Sequence, residues 1–158
     1  MNKYEEAMKK LDEDFGGKDN LISISTISLS QNDDGSCRPD ARLVDAHYEN
    51  GAFYTVTYAT SNKMLQIAKN PNVALCFVVD KLTVDGIAEN LGWVCDEKNL
   101  DLMSRIRPVF AKWYDEANND EDQSTCLLRV TLTKGLWFDA HTGEGTRVDF
   151  MNKTAEKV

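Results

Sequence analysis

Paired cysteines, glycine-rich loops, clustered histidines and long apolar runs are all missing from this chain, and each absence removes a class of protein. The four cysteines (Cys37, Cys76, Cys95 and Cys126) are widely spaced and never form Cys-x-x-Cys. Several sit in apolar, strand-like runs, where a free thiol packs as a small hydrophobe, so the expectation is a reduced, cytoplasmic protein. The nine glycines fall neither as G-x-G-x-x-G nor as a P-loop, which leaves no dinucleotide or nucleoside-triphosphate fingerprint. Only two histidines occur, His47 and His141, far apart and without metal-ligand spacing. No serine stands in a G-x-S-x-G elbow. The acidic pairs Asp33-Asp34 and Glu121-Asp122 fall in turn-like segments, where solvation explains them better than glycosidase chemistry. The longest wholly apolar run, Val73 to Val79, is far below the ~20 residues that span a bilayer. Met1 to Lys18 is charged and amphipathic, without the apolar core of a secretory signal. Basic residues are also outnumbered, 18 against 26 acidic, giving a net charge of -8. That sign repels nucleic acid and anionic lipid, so neither is an expected partner.

What remains is an ordinary globular composition with 42% hydrophobic residues. One domain over residues 1–150 followed by a polar, frayed tail at 151–158 is the expected organisation. Tyr4, Met8, Leu11 and Phe15 recur at helical spacing and stop at Gly16-Gly17. Leu21 to Leu29 reads as a strand whose apolar phase slips near Ser25-Thr26, predicting a β-bulge or barrel bend. Asn32-Asp33-Asp34-Gly35 then turns the chain into a strand over Cys37 to Tyr48, and Asn50-Gly51 turns it again into Ala52 to Tyr58. Ser61 is placed to cap a helix that ends at Asn70-Pro71. Val73 to Val79 reads as a central strand, apolar on both faces. Thr83 to Val94 follows as a strand with bends at Gly86 and Gly92. Short helices are expected over Asp96 to Met103 and Pro108 to Ala117, the second with proline in its first turn. Strands at Cys126 to Thr133 and Leu136 to Ala140 close the series. Successive strands joined by tight turns make an antiparallel sheet, and a small barrel is the economical way to close it.

The chemistry-bearing residues gather at one junction. Arg42-Leu43-Val44 lie on the second strand, while Thr57, Ser61, Asn62 and Lys63 span the passage from the third strand into the helix. Two hydroxyls and an ammonium would stand at a helix N-terminus, where free N–H groups and the dipole already favour an anion. Arg42 could approach a phosphate monoester there from the neighbouring strand. An ordinary capping serine, a solvated lysine and a surface arginine would satisfy the same spacing.

Phe53-Tyr54-Thr55-Val56-Thr57, then Ser61-Asn62-Lys63-Met64-Leu65-Gln66-Ile67 and Asn70-Pro71-Asn72-Val73-Ala74-Leu75, resemble the core of the pyridoxamine-5′-phosphate-oxidase-like flavoproteins. Arg42-Leu43-Val44 is similar to the R-x-V strand of that family, and Gly86-Ile87-Ala88 to its G-x-A strand. The likeness covers roughly residues 20–95, and the short general-stress-protein-like branch is nearest. It implies a mainly β (α+β) fold: a small antiparallel split β-barrel of six to seven strands with peripheral helices. It further implies a homodimer with FMN bound at the interface. Arg42 and the backbone of Leu43 and Val44 would face the isoalloxazine and ribityl region. Thr57 would meet the ring, and Ser61, Asn62 and Lys63 would form the phosphate turn.

Departures from the family pattern bear on function. Asn62 stands where many members have a basic residue, His47 where the oxidases have lysine, and Lys81 where a glutamine is usual. Trp137 and Arg147 have a suggestive separation, but the residues between them do not match the vitamin B6 signature. The expectation is a small FMN-dependent oxidoreductase acting on a small-molecule redox substrate. A flavin-sequestering protein, or a barrel holding haem or a deazaflavin, is the alternative. Trp113, Tyr114 and Trp137 are candidates for the dimer interface.

Overall fold

A computed structural model describes residues 1–158. Helix α1 (Lys3–Phe15) begins in a capping box. The Asn2 side chain accepts from the Glu5 amide, and the Glu5 carboxylate accepts from the Asn2 amide, both at 2.9 Å. Eight strands follow, interrupted by helices: β1 (Asn20–Ile27), β2 (Pro39–Glu49), β3 (Ala52–Tyr58), α2 (Asn62–Lys69), β4 (Asn72–Phe77) and β5 (Leu82–Trp93). A 3-10 turn leads into α3 (Leu100–Val109) and α4 (Tyr114–Ala117), and β6 (Thr125–Asp139), β7 (Glu144–Asp149) and β8 (Thr154–Lys157) complete the chain.

The strands lie in the order β3-β2-β1-β4-β5-β6-β7-β8, all antiparallel, and a further β3–β6 pairing closes the first six into a barrel. The turn at Asn50-Gly51 is left-handed at both residues (φ 51° and 79°), the backbone that this dipeptide adopts most readily in a two-residue hairpin. Gly86 sits at a register shift between β5 and β6. A Cβ there would stand 2.5 Å from Val130 and 2.9 Å from the Thr131 carbonyl, so only glycine lets the strands approach.

The barrel core is built by alternation. Ile22 and Ile24, Val73, Leu75 and Phe77, and Leu128, Val130 and Leu132 face inward and join Ala7, Leu11 and Phe15 from α1. Phe15, Tyr48, Phe53 and Phe77 form an aromatic cluster, with Phe53 centred 5.6, 5.1 and 5.0 Å from the other three in that order. A second, smaller core forms outside the barrel, where α3 and α4 press Met103, Ile106, Phe110 and Tyr114 onto Val56 and Leu127. No helix of the structure is long and apolar enough to cross a membrane.

Several expectations are corrected. β1 has no bulge: its register with β2 is unbroken from Asn20 to Ile27, and the inward series simply continues through a polar residue, Thr26. β4 is apolar and buried on one face only, with Ala74 and Cys76 exposed and Val78 and Val79 in the following turn. Pro108 lies in the last turn of α3 instead of opening the next helix, and its missing N–H helps to end α3 there. The two strands expected at Cys126 to Ala140 are one continuous β6. The residues after 150 are not frayed, because β8 pairs with β7 from Thr146 to Asp149. Tyr114 and Trp137 are buried within the chain, and Trp113 donates its indole N–H to Asp19 at 2.7 Å.

Candidate functional site

β2 and β3 pair only at their hairpin end, where His47, Tyr48 and Glu49 meet Tyr54, Phe53 and Ala52. Beyond that point they part. β2 keeps β1 as its partner back to Pro39, while β3 runs along β6 over its whole length. One backbone edge of β2 is left without a strand at the split. Thr55 reaches across it, donating its hydroxyl to the Asp45 carbonyl at 2.6 Å.

The β3–α2 turn flanks this split. The Ser61 amide donates to the Tyr58 carbonyl at 3.0 Å, the Ala59 amide to Ser124 at 2.7 Å, and the Leu65 amide opens the helix on the Ser61 carbonyl at 3.1 Å. Ser61 has the extended backbone of an N-cap, yet its side chain caps nothing, and its buried Oγ has no hydrogen-bond partner. An ordinary capping serine would accept from the first-turn amides. This one leaves the helix start open and its own hydroxyl orphaned, which suits a ligand oxygen.

Lys63 follows on the first turn and is half-buried. Burial first, and then the Arg42 guanidinium, hold its ammonium below the ordinary lysine range. Two cations thus converge, and neither takes part in any ion pair of the structure. Buried Thr57 faces Cys126 across the β3–β6 ladder. Burial pushes the Cys126 thiol up to about 11, with Lys63 pulling it slightly the other way.

Arg42 is held by neutral groups. Its Nη1 donates to Thr26 Oγ1 at 2.6 Å, the Asp40 carbonyl at 3.1 Å and the Ile24 carbonyl at 3.4 Å, while Nη2 donates to Gln66 Oε1 at 3.0 Å. Arg42 thus lies against α2, on Gln66 one turn beyond Lys63, while Ser61 and Lys63 share the start of that helix and Thr57 precedes the turn on β3. Val44 points inward against the core. The Leu43 side chain, 65% exposed, lies on the outer face of the sheet, and Asn62 is exposed on the first turn. Thr26 and Asp40 are not site residues on the sequence reading, Cys126 counts there only as a packed thiol, and Gln66, one helical turn beyond the phosphate turn, reads as structural. For Thr26 the signal was there: it is the polar residue at the next inward position after Ile22 and Ile24.

The other residues noted for their departures lie apart from this turn. His47 is five positions from Arg42, hence on the opposite face of β2, with Nε2 3.3 Å from Glu49. Glu49 is held below the usual carboxylate range, chiefly by Arg105. Lys81 pairs with Asp139 at 2.7 Å beside Trp137, and Arg147 pairs with Glu156 at 3.2 Å.

No protein-family profile and no curated protein matches the chain. Solved structures do. A pyridoxamine 5′-phosphate oxidase-related, FMN binding protein from Nostoc punctiforme superposes with a TM-score of 0.63 at 11% identity, covering 100% of this chain and 96% of that one. General Stress Protein 26 from Bacillus anthracis gives 0.57 at 19% identity, over 81% and 91% of the two chains. HutZ, the haem storage protein from Vibrio cholerae, gives 0.57 at 14%, over 84% and 91%. The likeness establishes the fold, a split β-barrel of the pyridoxamine 5′-phosphate oxidase-like kind.

Proposed function

We propose that this split barrel binds FMN, with Lys63, Arg42, Ser61 and the first turn of α2 holding the phosphate, and that it works as a small flavin-dependent oxidoreductase. The observation that carries the reading is a pair of neighbouring cations, neither of them in an ion pair, beside an orphaned serine hydroxyl at an uncapped helix start. A phosphate monoester supplies the missing charge and the missing partner. The open edge of β2 at Leu43 and Val44, with Thr57 across the split, offers polar backbone and a hydroxyl to a flat polar ring. The bound flavin would supply the redox chemistry, and the protein would supply orientation and a shaped, partly dry cleft. The four free cysteines fit a reducing compartment such as the cytoplasm.

Titrating FMN and riboflavin into the purified protein tests the reading. FMN should bind more tightly than riboflavin, and reduced nicotinamide should then discharge its visible absorbance until oxygen restores it. Equal affinity for both ligands, or none for either, sinks the phosphate site. Bound FMN that no biological donor discharges favours the sequestering role, and preferential uptake of haem or a deazaflavin replaces the cofactor.

The protein should act as a homodimer. Leu43, Ser23, Cys76 and Thr83 stand in one line across β2, β1, β4 and β5, next to Ala41, Ser25 and Ala74. Their side chains are small or apolar, and Leu43 and Cys76 are exposed, a face suited to packing against a second sheet. Leu43→Asn sets an unpaired amide there, at about 1.4 kcal/mol or more, and should weaken self-association roughly ten-fold in sedimentation. Unchanged dimerisation would move the interface elsewhere.

A further inference from the structure

Gln66 lies one turn beyond Lys63 on α2 and is buried, although a glutamine on a short surface helix has no need to be. Its Oε1 accepts from Thr26 Oγ1 at 2.5 Å and from Arg42 Nη2 at 3.0 Å, and its Nε2 donates to Asp40 Oδ2 at 2.6 Å. This orientation of the amide matches a donor with an acceptor in all three bonds, so the network fixes which end faces which neighbour. Asp40 and Arg42 are two apart on one strand and share a face, where an ion pair would ordinarily form. Yet no such pair is present, and the amide stands between them.

We propose that Gln66 is a positioning residue that keeps the Asp40 carboxylate off the Arg42 guanidinium, so that the cation is aimed but not neutralised. A neutral carbonyl orients a guanidinium without cancelling its charge, whereas a carboxylate would do both. Without the amide, Asp40 is free to pair with Arg42 and competes with any incoming anion. The inference rests on the flavin-phosphate reading for its ligand, but the spacer role is a property of the chain alone.

Four proteins test it: the wild type, Gln66→Met, Asp40→Asn and the double variant, each titrated with FMN and with riboflavin. Gln66→Met should weaken FMN binding about ten-fold, the size of one charge-assisted contact, while riboflavin stays within about two-fold. Adding Asp40→Asn should restore FMN to within about three-fold of the wild type, because the competing charge is gone. A defect that Asp40→Asn does not relieve, or an equal loss for both ligands, marks Gln66 as merely structural. In a crystal structure of ligand-free Gln66→Met, the Asp40 carboxylate should lie within about 4 Å of the Arg42 guanidinium. A carboxylate that stays away overturns the proposal whatever the flavin does. If the wild type binds no flavin, the flavin reading falls and this structure alone decides the role of Gln66. Should Gln66→Met fail to fold, Gln66→Glu puts a carboxylate directly on Arg42 and should weaken FMN but not riboflavin. Wild-type FMN affinity in that variant also overturns the proposal.

Discussion

Lys63→Ala should weaken FMN binding by about 10- to 150-fold, because a charge-assisted hydrogen bond contributes roughly 1.5–3 kcal/mol. Riboflavin has the same ring without the phosphate, so its weaker binding should hardly respond. The ligand-free protein should not suffer. Lys63 has no ion-pair partner, is half-buried and is destabilised as a cation by burial and by Arg42. Its removal relieves that repulsion, and urea unfolding should show equal or slightly higher stability. Loss of affinity for both ligands together would instead mean that the turn has collapsed. No loss for either would return Lys63 to an ordinary place on a helix.

Phe53→Ala should cost about 3–5 kcal/mol of folding stability, the usual range for deleting a buried aromatic ring. Phe53 is almost wholly buried at the centre of the Phe15–Tyr48–Phe77 cluster, and its ring packs on Phe15 of α1. The surrounding rings come from three different elements, α1, β2 and β4, so they cannot close the cavity by a local shift. Against a typical stability of 5–15 kcal/mol, such a loss takes much of the margin. The urea midpoint should fall sharply with little change in slope. A drop below about 1 kcal/mol would show that the cluster repacks more freely than its geometry allows.

Much of the barrel could be read from the chain because its strands obey a simple period and its turns carry their own chemistry. Asn50-Gly51 turned where expected, and Leu128, Val130 and Leu132 alternated inward as written. The errors arose where a tertiary demand overrode a local rule. Thr26 looked like a phase slip because an inward polar residue makes sense only once Gln66 and Arg42 are in view. Val78 and Val79 looked like strand because nothing local says that the barrel turns before them. The proposed phosphate turn is legible as a spacing, since Ser61 and Lys63 are near neighbours in sequence. The frame that holds Arg42 was not, because it draws on β1, β2 and α2 at separations of 16 to 40 residues. Sequence alone also could not distinguish a capping serine from an orphaned one.

The pairing of β3 with β6 has a consequence for how the chain reaches this state. Residues 52–58 meet their partners only at 125–131, after α2, two strands and the α3–α4 segment have intervened. Contacts of such separation require long loops to close before any reward arrives, which places the chain among slower folders, on the order of milliseconds to seconds. During synthesis at roughly 5–20 residues per second, β3 leaves the ribosome several seconds ahead of β6. Through that interval its outer edge is an unpaired template carrying Phe53 and Val56. Nascent chains halted between β5 and β6 should therefore be the species most prone to aggregate and most dependent on chaperones.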